Sequence, residues 1–401
     1  MKNTPGSLPI KNTSRSLRAT KIIAGLLFLE MILQTISFSR YVFWRVYEYK
    51  EKMGLMTNDW FYAKDSNKWW LTESEKIQAQ YHPLLSFTPK PLNTPHITIN
   101  DLGIRETTGN PATISHQQIK IFMFGGSTLF GTNVSDGETV PSHVAKLLNT
   151  KAPVHRITNF GVSAYNSSQE LASLLIQLKQ GNIPDMVVFY DGINELYSRY
   201  LYTYSPGNQT VYEDIIRTRL GNIYSFHVPY RNQSLLDFSY LSQAARSLAS
   251  RIKVIDYPIK FFRILRTGNN EENNRLIKFH NTAALPDDVT RIYAENIAMV
   301  RNLSKIYGFK TLFIWQPSIA TKKLTDDETE VINSKTESAG LYKEITKKVT
   351  ELALPDFVDA SGVFSNVDQP VYLDFAHISP EGNKMIAEYI TPRIIDALNA
   401  Q

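Results

Sequence analysis

The chain of 401 residues, 43% of them apolar, is long enough for one large core with insertions or for two smaller cores, and it is neither disordered nor polytopic in the membrane. Its formal net charge is +5, but five of its 43 basic residues lie in the first 21 positions, which hold no acid, so the remaining 38 balance the 38 acidic residues and do not predict nucleic-acid binding. The absence of cysteine excludes disulfides, thiol nucleophiles and cysteine metal sites, and it is compatible with an oxidising compartment.

Residues 22–44 predict a transmembrane anchor that follows a basic cytoplasmic tail at 1–21. The first part of this segment is a nearly continuous apolar run close to bilayer-spanning length. Its large side chains contribute roughly −0.3 to −0.6 kcal/mol each, which together offset the roughly 2.5 to 3.5 kcal/mol cost of Glu30. Because positive charges precede the span, the rest of the chain is expected on the periplasmic or extracytoplasmic side of the cytoplasmic (inner) membrane. The alternative is a signal peptide cleaved near Ser39, but an acid within the apolar run favours an uncleaved anchor.

Residues 45–118 are polar and aromatic without a sustained period, and they predict a stalk followed by an extended segment. Four of the five tryptophans lie here or just before, at positions 44, 60, 69 and 70. Such a cluster either stacks on sugar rings or a membrane interface, or packs against the main domain. Packing is the favoured interpretation, because tryptophan is usually mostly buried.

From residue 119 onward, apolar β segments alternate with amphipathic helical segments, a pattern typical of a parallel sheet covered by helices. The predicted strands are residues 119–124, 156–160, 185–190, 311–315 and 356–360. The interval at about 197–285 is too long for a simple connection, so it is expected to be an inserted helical cap. Within it, Arg246 to Arg266 alternates basic and apolar residues, which either meets anionic glycan or lipid headgroups or forms a solvated basic face.

The first three predicted strands end in residues that suit acyl-transfer chemistry. Ser127 follows Gly125 and Gly126, which permit a tight strand-to-helix turn whose backbone amides can face an anion. Gly161 and Asn194 follow the second and third strands on the same edge of the sheet. A glycine N–H and a side-chain amide are the two donor types suited to an oxyanion, so both residues are candidates. Taken singly, each is more simply explained as a turn or cap residue.

A second group of candidate residues lies near the C-terminus. Ser379 as N-cap and Pro380 in the first turn predict a helix start, which leaves His377 in the preceding loop. The three-residue spacing lets Asp374 bind one imidazole nitrogen while the other faces the serine. The following helix N-terminus is expected to disfavour imidazolium and to help the histidine act as a base. The sequence therefore predicts Ser127, Asp374 and His377 as catalytic residues.

These four blocks, in this order and each at a strand end, resemble the SGNH (GDSL-like) hydrolase family. The resemblance implies a flavodoxin-like three-layer α/β/α fold with a five-stranded parallel sheet. It implies that Ser127 is the nucleophile and that Gly161 and Asn194 complete the oxyanion hole with the serine's own amide. Asp374 and His377 then complete the catalytic triad.

The resemblance covers residues 119–401 and departs from the family pattern at two positions. Gly126 stands where the GDSL pattern has aspartate, and Glu195 follows Asn194 where the family usually has aspartate. Neither departure touches the reacting groups, so both concern the subfamily. The segment from Tyr81 to Arg105, which ends in NDLGIR, resembles an extension of membrane-anchored bacterial members. Such proteins are commonly associated with envelope or exported polysaccharides.

The expected function is a serine esterase that removes short acyl groups, acetyl above all, from such a polysaccharide through an acyl-enzyme. The first alternative is an O-acyltransferase acting on the same glycans, and the second is a non-catalytic glycan-binding or polysaccharide-assembly protein. Polysaccharide-biosynthesis proteins are candidate partners. No cofactor or metal is expected, because the eight histidines form no HExxH-like pair and no dinucleotide or Walker pattern occurs.

Overall fold

The computed structural model describes residues 68–113, 118–150, 154–200, 282–326, 328–329 and 336–400. No helix within these ranges has both the length and the apolar character needed to span a bilayer. The predicted anchor at 22–44, its flanking tail and most of the predicted cap at 197–285 lie outside the described residues, so those predictions stay predictions.

The described elements fall into an N-terminal segment and a main domain. The N-terminal segment, residues 68–113, contains α1 (Trp69–Glu73), β1 (Ala79–His82), β2 (Ser86–Pro89), β3 (Leu92–Asn93) and β4 (Thr98–Ile99). The main domain contains, in chain order, β5 (Ile119–Gly125), α2 (Ser127–Phe130), α3 (Val140–Leu148), β6 (His155–Gly161), α4 (Ser167–Lys179), β7 (Met186–Asp191), α5 (Ile193–Tyr200), α6 (Leu285–Tyr307), β8 (Lys310–Trp315), α7 (Thr336–Glu351), β9 (Phe357–Asp359) and α8 (Pro380–Asn399).

The main sheet has five parallel strands in the order β6-β5-β7-β8-β9. Each predicted strand is present, with its ends within one residue of the prediction. This order, in which the first strand lies between the second and the third, is the flavodoxin-like order of doubly wound folds. All five strands run in the same direction, so the residues that follow their carboxyl ends meet along one edge.

A row of phenylalanines crosses the sheet just beneath that edge. Phe160, Phe124, Phe189 and Phe313 occupy paired positions on β6, β5, β7 and β8. Neighbouring rings stack with centroids 5.0, 5.1 and 5.4 Å apart, and all four side chains are buried. A one-residue slip of any strand would turn its ring to the other face, so the row fixes the register of the strands that carry the site.

Two groups of helices cover the sheet. α3 packs on α8, whereas α6 packs on α4, α5 and α7. Crossover connections are right-handed, so those that run in opposite directions across a sheet lie on opposite faces. The result is the three-layer arrangement expected from the resemblance. α8 begins as predicted, with Pro380 in its first turn and the Ser379 hydroxyl accepting the Gly382 amide.

The N-terminal segment packs on the edge of the main sheet. β1 pairs with β2 and β3 pairs with β4, each antiparallel. Single-residue bridges join Ile99 to Arg105 and Arg105 to Asn159 in β6. The segment therefore pairs with the edge strand β6 at Asn159.

Two of the clustered tryptophans belong to this segment. Trp70 is buried, and Trp69 stacks on the ring of His96 with centroids 4.2 Å apart. Trp70 lies in a cluster with Phe130 and Leu373 of the main domain, so for Trp70 the packing interpretation is confirmed. Trp44 and Trp60 lie outside the described residues.

Candidate active site

The structure brings Ser127, His377 and Asp374 together in one hydrogen-bonded chain. Ser127 is the first residue of α2, one residue after the end of β5, and it is partly exposed. Its Oγ lies 2.7 Å from Nε2 of His377, and Nδ1 of His377 lies 2.6 Å from Oδ2 of Asp374. These distances let the imidazole take the serine proton while the carboxylate holds the ring in the required tautomer.

The loop that carries Asp374 and His377 is fixed by its own hydrogen bonds. Oδ1 of Asp374 accepts the backbone N–H of Ala376 at 2.9 Å and that of His377 at 2.8 Å. The Leu373 amide donates to the His377 carbonyl at 2.8 Å, and a bridge pairs Tyr372 with Ile378. The loop is therefore a tight two-stranded turn that presents the imidazole at a defined position.

A buried ion pair supports the start of this loop. Lys322 Nζ lies 2.7 Å from Glu328 Oε2, and both side chains are fully buried. The other oxygen of Glu328 accepts the amides of Val371 and Tyr372 at 3.0 and 3.2 Å. Burial raises the pKa of Glu328, but Lys322 and the backbone amides outweigh it and hold that pKa below its ordinary value. The carboxylate thus stays charged and ties the segment before Asp374 to the core.

The pKa values of the histidine and the aspartate shift in opposite directions. Burial lowers the pKa of His377, but the charge of Asp374 and the hydrogen bond to it outweigh burial and raise that pKa above its ordinary value. Burial raises the pKa of Asp374, whereas the charge of His377 and the loop amides lower it below its ordinary value. Asp374 therefore stays ionised and stabilises the imidazolium that forms when His377 takes a proton.

Asn194 lies beside the nucleophile turn, in the first turn of α5. Its Nδ2 donates one hydrogen to the carbonyl of Tyr165 at 2.7 Å, and an amide carries a second hydrogen that can face an oxyanion. A Cβ on Gly126 would lie only 2.2 Å from this nitrogen. In this chain the Asn194 amide therefore lies directly against Gly126, and a larger residue at 126 would displace it.

The prediction that Gly161 supplies an oxyanion donor needs correction. Its N–H is already donated to Oδ1 of Asn159 at 2.9 Å. A Cβ at Gly161 would lie 2.5 Å from the amide nitrogen of Phe130. Position 161 is thus a close-packing position, where a glycine lets the end of β6 touch the turn that begins at Ser127.

Ala164 is a donor candidate that the sequence did not reveal. It has φ of +68°, a left-handed conformation that is uncommon for a residue with a side chain and is enriched at functional sites. In the part of the chain described here, its N–H has no hydrogen-bond acceptor. It precedes Tyr165, whose carbonyl holds Asn194. An alanine gives no sequence signal for a left-handed position, so only the backbone angle identifies it.

Three buried carboxyl groups lie behind Asn194, on Glu170, Asp191 and Glu195. Glu195 accepts the Ser167 amide at 2.6 Å and the Ser167 hydroxyl at 3.1 Å. Burial, with the charge of Asp191 next, raises the pKa of Glu195 to about 8, and burial raises the pKa of Asp191 to about 7. The pKa of Glu170 is also raised, by burial and by the two neighbouring acids. The folded state therefore favours the protonated form of this cluster.

Comparisons with known proteins give similarities at the level of fold. No protein-family model matches the chain, and no curated protein does. The chain is similar to an acetyl xylan esterase, at 14% identity over 69% of this chain and 100% of that chain, with a TM-score of 0.36. An acetylxylan esterase from Geobacillus stearothermophilus matches at 15% identity, over 70% and 94%, with a TM-score of 0.28, and TesA at 11%, over 69% and 99%, with 0.34.

At this level of similarity the geometry of the site carries the functional argument. The strand order and the four motif blocks along one sheet edge are those expected of an SGNH (GDSL-like) hydrolase fold. Among the described residues, no group of three or more histidine, aspartate or glutamate side chains is arranged to hold a metal ion.

The buried carboxyl cluster predicts that stability falls as pH rises. Carboxyl groups in the unfolded chain ionise near pH 4, so between about pH 4.5 and about 8 the folded state binds more protons than the unfolded state. Glu170→Gln removes one acid, and the loss of thermal midpoint between pH 5.5 and 8 should become smaller than in the unmodified chain. The raised pKa of His377 adds a slope of the same sign, but both proteins share it.

The matched control for this measurement is Glu344→Gln, on the exposed surface of α7. It should leave the pH dependence of the thermal midpoint unchanged. Equal slopes for Glu170→Gln and the unmodified chain would show that the cluster is not the source of the pH dependence.

Proposed function

We propose that this chain is a serine esterase that acts through an acyl-enzyme intermediate. The observation that carries the proposal is the unbroken set of contacts from Asp374 through His377 to a partly exposed Ser127. Ser127 lies 250 residues before His377 in the chain, and both hydrogen bonds have the short lengths that proton transfer requires. A structural role alone gives no reason for a serine at the end of a strand to be hydrogen-bonded to a histidine that is itself bound to an aspartate.

The reaction follows from these contacts. His377 Nε2 takes the proton of Ser127 as Oγ attacks the ester carbonyl, and the carbonyl oxygen becomes an oxyanion. Donors for the oxyanion are the Ser127 amide at the start of α2, the free hydrogen of Asn194 Nδ2 and the Ala164 amide. His377 then returns the proton to the leaving alcohol, which leaves an acyl group on Ser127. Water, deprotonated by His377, releases the carboxylic acid and restores the serine.

The proposed substrate is a short acyl ester, with acetyl expected first, on an envelope or exported polysaccharide. Support comes from the motif resemblance, which extends into the segment before the main domain. An O-acyltransferase would use the same acyl-Ser127, with a sugar hydroxyl in place of water. The hydrolase is favoured because the one predicted membrane span offers no channel for an acyl donor.

The proposed location is the cytoplasmic (inner) membrane, with one N-terminal span and the catalytic domain on the far side. The basic residues before position 22 and the apolar run after it support this arrangement. Polysaccharide-biosynthesis proteins are then the expected neighbours of the enzyme.

Ser127→Ala should abolish turnover of a small aryl acetate and covalent labelling by a fluorophosphonate, because both reactions need the serine oxygen. The measurement compares the full chain in detergent with this variant. Ser304→Ala is the matched control, since its hydroxyl binds the Phe309 carbonyl at the opposite end of the sheet, and it should retain both properties. Folded, unmodified protein that shows neither turnover nor labelling would refute the esterase proposal.

Asn194→Ala should lower kcat for the aryl acetate by about 100- to 1,000-fold with a smaller change in KM, because a donor that binds the oxyanion acts mainly in the transition state. Asn182→Ala is the matched control. This side chain lies beyond the end of α4 and bonds to Gln177 within that helix, so its loss should leave kcat unchanged. If the two variants lower kcat equally, Asn194 is not an oxyanion donor.

Purified protein should release free acid from an acetylated polysaccharide at a rate that is lost in His377→Ala and does not depend on an added sugar acceptor. The readout is acetate release together with analysis of acyl groups on the acceptor. If acyl groups appear on new hydroxyls faster than acid is released, the protein is a transferase.

A reporter enzyme that is active only outside the cytoplasm should be active when fused after residue 401. The full-length fusion should also resist carbonate extraction from membranes, because the apolar run at 22–44 is not removed. A shortened protein that is released into the soluble fraction would favour cleavage near Ser39 instead of an anchor.

A further inference from the structure

Arg105 is a fully buried charge supplied by the N-terminal segment. Only 1% of its surface is exposed, although arginine is among the residues least often buried. It ends the NDLGIR stretch and bridges β4 to the edge strand β6 through Ile99 and Asn159. Burial lowers the pKa of its guanidinium below its ordinary value, and the charge and hydrogen bond of Asp136 offset only part of that effect. Because arginine keeps its proton even when buried, the side chain remains a cation.

Every nitrogen of the guanidinium binds the stretch of chain that follows Ser127. Nη1 donates to the carbonyl of Phe130 at 2.9 Å and to that of Gly131 at 2.5 Å. Nη2 donates to the carbonyl of Val134 at 2.6 Å, and Nε donates to Oδ1 of Asp136 at 2.9 Å. The carbonyls at the end of a helical turn have no partners within the turn, and here one planar cation satisfies them.

These bonds lead back to the serine through one residue. Arg105 binds the carbonyl of Gly131, and the amide of the same residue donates to the Ser127 carbonyl at 3.0 Å. The Thr132 amide donates to that carbonyl as well. The Phe130 amide donates to the Gly126 carbonyl at 2.9 Å. Movement of the guanidinium would therefore shift the peptide units on both sides of Ser127, and with them its amide and Oγ.

The same N-terminal segment also touches the other half of the triad. Trp70, Ile97 and Ile99 form a buried cluster with Phe130, three residues after the serine, and with Leu373, directly before Asp374. The Leu373 amide holds the His377 carbonyl. One apolar cluster thus joins the nucleophile turn to the histidine loop, while Arg105 fixes the nucleophile turn by hydrogen bonds.

We propose that Arg105 is a positioning residue for the nucleophile, which sets the orientation of Ser127 by holding the carbonyls of the turn behind it. This inference rests on the proposed role of Ser127. Residues 100–105 then support the active site, in addition to connecting the predicted anchor to the main domain.

Arg105→Lys tests the proposal, because lysine keeps the charge but lacks the planar set of donors that reaches three carbonyls and a carboxylate. We expect kcat for the aryl acetate and the rate of fluorophosphonate labelling to fall together, by about 10- to 100-fold, since small displacements of reacting groups have effects of this size. KM should change by less than about twofold, because the turn does not bind the ester before attack.

The matched control is Arg301→Lys. Arg301 pairs with Asp356 at the amino-terminal end of β9, away from the site. It should lower the thermal midpoint while leaving kcat and labelling unchanged. A folded Arg105→Lys protein with unmodified kcat and labelling rate, or with only a lower thermal midpoint, would overturn the proposal. An inert unmodified protein would instead overturn the proposed esterase function.

A second variant keeps the test decisive if Arg105→Lys does not fold. Asp136→Asn leaves the guanidinium in place and replaces one acceptor of its ion pair by a donor. The looser guanidinium should lower kcat and labelling together, by a smaller factor than Arg105→Lys, again with KM unchanged. If folded Asp136→Asn retains full kcat and Arg105→Lys cannot fold, Arg105 has only a structural role and the proposal fails.

Discussion

Catalytic geometry in this chain depends on how closely three backbone segments approach one another around Ser127. A Cβ on Gly161 would lie 2.5 Å from the Phe130 amide, and a Cβ on Gly126 would lie 2.2 Å from Nδ2 of Asn194. The Gly161 contact is with backbone and leaves no room for a side chain, whereas a side chain at position 126 would displace the Asn194 amide. The two glycines thus let the nucleophile turn rest on the end of β6 and against the Asn194 side chain of α5. The placement of the imidazole, the amide donor and the supporting arginine is useful only because this turn is held so close to the sheet.

Residues that repeat a simple pattern were predictable from the sequence. The five strands follow from apolar runs between helical segments, and parallel strands bring Ser127 and Asn194 to one edge. The spacing of Asp374 and His377 before a Ser-Pro helix start likewise predicted a loop that can hold an imidazole. These predictions need only local sequence patterns and the rule that strands connected by helices run in the same direction.

Features that depend on backbone angles or on long-range burial were not predictable. The glycine at 161 suggested an exposed N–H, but the side chain of Asn159 takes that N–H. The left-handed position falls on Ala164, a residue type that carries no such signal. The burial of Arg105 has no sequence signal, because an arginine is normally exposed and its carbonyl partners lie 25 or more residues later in the chain.

The side chain that holds the Ala164 loop in place also lowers the stability of the folded state. Glu195 binds Ser167 at the start of α4, and its neighbour Asn194 binds Tyr165 in the loop before α4. Two adjacent side chains of α5 therefore fix the loop that carries Ala164. The carboxyl that does this is buried with two more acids, which weakens the folded state as pH rises. Shorter aspartate at position 195 would retract the carboxyl from Ser167 by about one methylene. The glutamate therefore reaches the Ser167 contact at the cost of one more buried carboxyl group in the cluster.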